Sequence, residues 1–291
     1  MLTYIESDTL RVGIRHLGAE LASMTTKDGN REYIWQADPA IWDGSAPILF
    51  PITGVLREGH VLIDGKACEI PKHGFCRSRS FELVAQSPSA CTFRTTHDED
   101  TLTYFPFEFT LEVEFSLSNS DLQVTYTVVN TGSRELLFSI GSHPALMLPT
   151  EEVSAYELAV DTAEPLTISR VTNTGLVEPD AIPLARNENE AIQLTPSLFN
   201  DDALVFINSP IRAVTLRDRD GNEHWRMRWE HTPHLGIWAK PNAPYVCIEP
   251  WQSYADSSTS SIDFAEKAGI RPLAAGATST DGYTIEVLGG E

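Results

Sequence analysis

The chain has 291 residues, 42% of them hydrophobic and 21% charged, which is enough for a substantial core and too apolar for a disordered segment. Its 21 Lys and Arg against 41 Asp and Glu leave a formal charge of −20, a surface that repels nucleic-acid phosphate and anionic lipid, so neither is an expected partner. No apolar run approaches the roughly 20 residues that span a bilayer, MLTYIESDTLRV has no signal-peptide pattern, and the four cysteines form no C-x-x-C pair; a cytoplasmic protein with reduced thiols is expected.

In chain order, SFELVA (residues 80–85) reads as a strand. TLEVEFSLS (110–118) and LQVTYTVVN (122–130) alternate apolar and polar residues around Asn-Ser-Asp, the pattern of a β-hairpin. Residues 161–200 are loop-rich and are expected to cover one mouth of the fold, with a single turn at Pro196–Phe199. ALVFIN (203–208) is a further strand. IRAVTLRDRDGNEHWRMRW (211–229) reads as a second hairpin turning at Asp220-Gly221-Asn222. YVCIEPW (245–251) is a strand, SSIDFAEKAG (260–269) a short helix with a Gly stop, and TSTDGYTIEVLG (278–289) a closing strand. The 18 prolines are spread along the chain and oppose long helices. The expectation is an all-β fold: a single domain, 1–291, built as a large antiparallel β-sandwich with few short helices.

Three places set a titratable side chain beside Gly or Pro: Pro71-Lys72-His73-Gly74, Gly141-Ser142-His143-Pro144 and Cys247-Ile248-Glu249-Pro250-Trp251. A residue before proline is pushed to extended geometry, and proline gives the ladder no N–H, so each strand is expected to end there. His143 and Glu249 thus read either as hydrogen-bonded strand ends or as site residues at a sheet rim. If residues 73–81 run extended, His73, Phe75, Arg77, Arg79 and Phe81 share one face; Tyr245, Cys247, Glu249 and Trp251 share another. Rings mixed with single charges suit a sugar, whose C–H faces stack on aromatics and whose hydroxyls take hydrogen bonds; a solvated face has the same look. Trp238 fits a sugar platform or the core, and Asp202 fits a turn or a binding role.

Other motifs fail. Asp218 to Asn222 has its glycine too early for a calcium loop, and Trp229 stands where the bidentate acid belongs. His97 to Asp100 is a solvated acidic loop, and Pro233 between His231 and His234 prevents their alignment on a helix. No P-loop, G-x-G-x-x-G or G-x-S-x-G occurs.

The stretches YIWQADPAIWDGSAPILFPITG, IDGKACEIPKHGFCRSRSFE, FSIGSHPALMLP, NDDALVFIN and LGIWAKPNAPYVCIEPW, in this order, resemble the aldose 1-epimerase (galactose mutarotase-like) superfamily, and most of all its bacterial LacX-like branch. The resemblance covers essentially the whole chain. It implies a large β-sandwich that interconverts the α and β anomers of an aldose without metal or organic cofactor. It implies Glu249 as general base, His143 as general acid and His73 as the second histidine. Arg77 would bind sugar oxygens or orient Glu249, and Asp202 would bind sugar hydroxyls. Val55 stands where relatives often carry Arg, Leu146 where Phe is usual and Ser253 where Gly is usual; none is a proposed catalytic residue. The expected partner is a small-molecule sugar, an aldohexose in free or phosphorylated form. The competing readings are a non-catalytic carbohydrate-binding protein or a sugar-phosphate mutarotase on the same fold, and a metal-dependent β-sandwich enzyme using His73, His143 and Glu249.

Overall fold

The structure, a computed structural model, describes residues 1–289. Gly290 and Glu291, the end of the expected 1–291 domain, lie outside the described residues. The fold is an all-β antiparallel sandwich of two large sheets with three small ones beside them. The nine-stranded sheet runs Ile192–Gln193, Tyr156–Val160, Ala213–Asp218, Glu223–Arg228, Thr278–Val287, Asp121–Asn130, Phe109–Ser118, Ala90–Thr96, Glu82–Gln86. The eight-stranded sheet runs Val177–Leu184, Leu166–Val171, Leu204–Phe206, His234–Trp238, Tyr245–Trp251, Gly141–Ser142, Ile48–Leu49, with Ala145–Met147 also on Tyr245–Trp251. Among the described residues the one α-helix is the four-residue Thr101–Tyr104.

The alternation in residues 109–130 is what the hairpin uses. Phe109, Leu111, Val113, Phe115 and Leu117 are buried, and Val124, Tyr126 and Val128 face Phe115, Val113 and Leu111 across the register. Each side chain of this size, fully buried, contributes about 1.5–3 kcal/mol. Asn119 takes the left-handed conformation (φ 54°) that a two-residue hairpin loop demands. The second hairpin forms as expected, with Asp218 Oδ1 accepting from the N–H groups of Asp220 and Asn222.

Two expectations are corrected. Residues 161–200 hold a hairpin, Leu166–Val171 with Val177–Leu184, at the sheet's edge. Pro179 and Pro183 are tolerated there because an edge strand leaves one side of its backbone unpaired. Residues 260–269 form a 3₁₀ turn, Phe264–Glu266, where Asp263 caps the N–H of Ala265. Lys267 is drawn inward from that turn to an ion pair of 2.6 Å with the equally buried Asp256.

Candidate active site

Glu249 lies on a central strand all seven of whose residues are buried. Its expected end at Pro250 does not occur: the strand runs on to Trp251. Gly141 pairs with Trp251 and Ala145 with Cys247 in one unbroken register. His143 therefore stands opposite Glu249, and Ser142 opposite Pro250, which has no N–H to offer. The break between Gly141–Ser142 and Ala145–Met147 follows from the two prolines, while the register carries through. The result is an acid and an imidazole facing each other at a place where the ladder is open.

His143 Nε2 approaches Glu249 Oε2 to 3.2 Å. The approach is off-line for a hydrogen bond, and among the described residues Glu249 Oε2 and His143 Nδ1 are both buried polar atoms without a hydrogen-bond partner. Trp42 stacks on His143 at 5.0 Å with the rings 26° apart, and Trp238 meets it edge-on at 5.7 Å. Trp251 lies against Gly236, where a Cβ would sit 2.4 Å from its Cη2. His73 is 5.7 Å from His143, ring to ring.

His73 arrives on a turn, not on a strand. His73 and Gly74 both have positive φ, 66° and 76°, and Cys76–Ser78 is a 3₁₀ turn. The extended parity expected for 73–81 therefore fails. Phe75 packs on Phe50 and Phe105 in the core, and Arg79 leaves to pair with Asp98 at 2.7 Å. His73 and Arg77 alone of that set line the cleft. A Cβ on Gly74 would meet the Phe50 carbonyl oxygen at 1.9 Å, so only glycine fits where the turn docks. The docking also fixes the imidazole: the Gly54 N–H donates to His73 Nδ1 at 3.1 Å, leaving Nε2 of the neutral ring to carry the proton.

The cleft has a volume of about 1040 Å³. Around it stand His73, Arg77, His143, Asp202, Trp238 and Glu249, the six residues singled out from sequence. Asp202 sits at positive φ, 71°, and its carboxylate accepts from the Ala203 N–H at 2.8 Å. Arg77 makes no ion pair with Glu249 within 4.0 Å. Residues 171–178 of the edge hairpin form one wall, so this part of 161–200 does border the mouth. Sequence reading missed Trp42 as a site residue; the one signal was Gly44 close behind it, whose missing Cβ makes room for the indole. It gave no notice of Asn173, and quoted Asn200 and Lys240 only within longer motifs; all three line the cleft beside Trp251, which shares its strand face with Glu249.

Burial dominates the electrostatics. It pushes the Glu249 carboxyl well above the usual carboxylate range, against the lowering pull of Lys72 and with the help of Asp202. Burial likewise holds His143 and His73 well below the ordinary imidazole value; Lys72 and Arg77 push both the same way, and His143 adds to this at His73. Burial thus disfavours charge on both members of the pair, and a proton held between them favours Glu249 over His143. His143, Cys247 and Glu249 bring ligand atoms within 4.8 Å of one another, a set that takes Cys247 in place of the expected His73. Burial raises the Cys247 thiol well above its ordinary value, so it is held as S–H, a poor metal ligand.

A family model described as aldose 1-epimerase matches residues 1–285. The chain belongs to the aldose 1-epimerase family. This family member is 30% identical to the LacX proteins of Lactococcus lactis subsp. lactis, plasmid and chromosomal, over 300 aligned positions that take in 99% of this chain and 100% of theirs. It superposes on a galactose mutarotase related enzyme from Lactobacillus acidophilus with a TM-score of 0.92 at 28% identity, covering 99% and 98% of the two chains. A galactose mutarotase-like protein from Lactobacillus casei gives 0.92 at 30% identity, covering 99% and 100%. As an epimerase-family fold, the chain carries its facing acid and imidazole in a cleft large enough for a sugar. Among the described residues no helix is long and apolar enough to cross a membrane.

Proposed function

We propose that the chain acts as one β-sandwich domain and is an aldose 1-epimerase, interconverting the α and β anomers of a hexose by acid–base ring opening without a cofactor. The observation that carries this reading is the His143–Glu249 pair, 3.2 Å apart in a cleft walled by indole rings.

Ring opening takes a proton from the C1 hydroxyl and gives one to the ring oxygen. The aldehyde then turns about C1–C2 and closes on its other face. Glu249 is the base and His143 the acid, which places the pair's proton on the imidazole. The free enzyme favours it on the carboxyl. Both placements hold the same number of protons, and transfer between Oε2 and Nε2, brought into line when the sugar binds, interconverts them. His73, with Nδ1 occupied by the Gly54 N–H, offers Nε2–H as a donor to a sugar oxygen. Trp42 and Trp238 cover the apolar faces of the ring, and Asp202 takes hydroxyl hydrogens. Positioned proton transfer gives about 10²–10⁴-fold per group.

Polarimetry, or anomeric exchange by NMR, on freshly dissolved α-D-glucose and α-D-galactose tests this. Wild type is expected to accelerate mutarotation, and Glu249→Gln and His143→Asn each to lose about 10²-fold or more. Sugar binding without acceleration would make the protein a carbohydrate-binding module instead. Activity is expected to survive exhaustive dialysis against a chelator; loss with recovery on adding one metal would move the chemistry to His143, Cys247 and Glu249.

A further inference from the structure

The positive charges of this acidic chain are distributed unevenly with respect to their partners. Of the 21 Lys and Arg, 15 pair with a carboxylate among the described residues. The six that do not are Arg31, Lys66, Lys72, Arg77, Arg212 and Lys240. Arg212 is used by the backbone carbonyls of Ser209 and Ile211, and Arg31 lies over the ring of Tyr33. Lys66 stands beside the turn of a two-stranded hairpin. The other three, Lys72, Arg77 and Lys240, all line the candidate active-site cleft. With 41 acids on the chain, cations left unpaired together in one cleft are unusual, because any of them gains by meeting a carboxylate.

We propose that this cleft takes a phosphorylated aldose, with the phosphate held by Lys72 and Arg77 and with Lys240 supplying further positive charge. The proposal rests on the epimerase reading of the same site and names its substrate class. Lys72 and Arg77 flank the His73 turn, and among the described residues neither makes a hydrogen bond to another side chain. Arg77 is carried by the 3₁₀ turn Cys76–Ser78, whose Cys76 is fully buried, so its backbone is anchored. Lys240 stands 5.9 Å from the face of Trp238, the ring that meets His143 edge-on. Lys72 and Arg77 stand on the His73 side, and Asp201, Asp202 and Glu178 also line it, Asp201 being paired with Arg170. Carboxylates suit hydroxyl hydrogens; unpaired cations suit an anion. A phosphomonoester carries about −1.5 to −2 at neutral pH, a charge that three cations match better than a single carboxylate does. The guanidinium of Arg77 offers a planar fork to two phosphate oxygens. A volume of about 1040 Å³, at the top of the usual range for small-ligand sites of about 300–1,000 Å³, leaves room beyond one sugar ring.

The test compares kcat/KM for anomer exchange on glucose, galactose, their 6-phosphates, glucuronate and galacturonate. At least one 6-phosphate is expected to exceed its free sugar about tenfold or more. Lys72→Ala and Arg77→Ala should each cut that preference about 10- to 100-fold, and Arg77→Lys should restore part of it. Equal kcat/KM for free and phosphorylated sugars, or a preference untouched by both variants, overturns the proposal. An equal or larger preference for the uronates overturns phosphate in favour of carboxylate. If no sugar is accelerated, the epimerase reading fails, and calorimetric binding of the 6-phosphates to wild type and Arg77→Ala decides this proposal by itself. Binding lost in the variant upholds the phosphate site; binding absent, or equal in both, removes it.

Discussion

Glu249 is a carboxyl placed where its own charge is disfavoured, and that has a measurable consequence for stability. Its folded proton affinity is raised by burial. Between the ordinary value near 4.5 and the raised one, the folded chain holds a proton that the unfolded chain has released, so stability falls as pH rises through this window. Each tenfold change in proton affinity is worth about 1.4 kcal/mol. Glu249→Gln removes the ionisation and is expected to raise Tm at pH 8 by a few degrees while abolishing mutarotation. The gain should shrink as the pH is lowered toward 4.5. Calorimetric scans at pH 5, 6, 7 and 8 read this; an unchanged or lowered Tm at pH 8 would mean that Glu249 is ionised at little cost in the fold. The rate should behave accordingly: an acid limb below the ordinary imidazole value set by His143, an alkaline limb well above the ordinary carboxylate value set by Glu249, and a plateau between the two. Trp42 contributes by covering His143, so Trp42→Ala is expected to move the acid limb upward as well as lower kcat. A fall in kcat with no movement of that limb would assign Trp42 to sugar contact alone. At this scale the sequence was informative where a titratable side chain preceded proline, and uninformative where a loop brought in a ring: nothing in Ala-Ile-Trp-Asp-Gly points to an imidazole a hundred residues on.

The turn and the strand that present these side chains were legible to different degrees. The strand 245–251 could be read because its pattern places Glu249 and Trp251 on one face, and the structure keeps that parity. Its continuation through Pro250 could not be read, because whether a missing N–H matters depends on what lies opposite, and that is Ser142, far away in sequence. The stretch 73–81 misleads for the opposite reason. Its alternation looks extended, yet two successive left-handed residues and a 3₁₀ turn send Phe75 into the core and leave His73 and Arg77 on the cleft. Gly74 is where this element is most exposed to test. A Cβ there would meet the Phe50 carbonyl oxygen at 1.9 Å, and φ is 76°, so Gly74→Ala strains the backbone and forces the turn off its dock. A loss of about 2–4 kcal/mol in urea unfolding is expected, with mutarotation reduced in whatever remains folded. Retained stability together with full activity would mean that the turn docks with more freedom than its contacts imply.

At the scale of the whole molecule, alternating strands and scattered prolines made the all-β class readable, while the strand order was not, since an order such as Glu223–Arg228 beside Thr278–Val287 joins segments separated by some fifty residues. What the composition does fix is the field. A formal charge of −20 pushes the folded chain apart, and the exposed ion pairs that oppose this are each worth about 0–1 kcal/mol. Salt weakens both effects, so the sign of the salt dependence shows which is larger. The excess of like charge is summed over the whole surface, whereas the pairs, numerous as they are, are mostly wet and each acts only locally. Self-repulsion therefore outweighs the pairs, and added salt should stabilise. Taking NaCl from 0.01 to 1 M shortens the Debye length from about 30 to about 3 Å and is expected to raise Tm by several degrees. The buried Lys267–Asp256 pair should not respond, because screening reaches exposed charges far more than enclosed ones. Lys267→Met, which leaves Asp256 in the interior without its cation, is expected to cost about 3–5 kcal/mol at either salt concentration. A Tm that falls with salt in the wild type would show the surface pairs to outweigh the net charge, and a Lys267→Met penalty that vanishes in 1 M NaCl would place that pair in solvent.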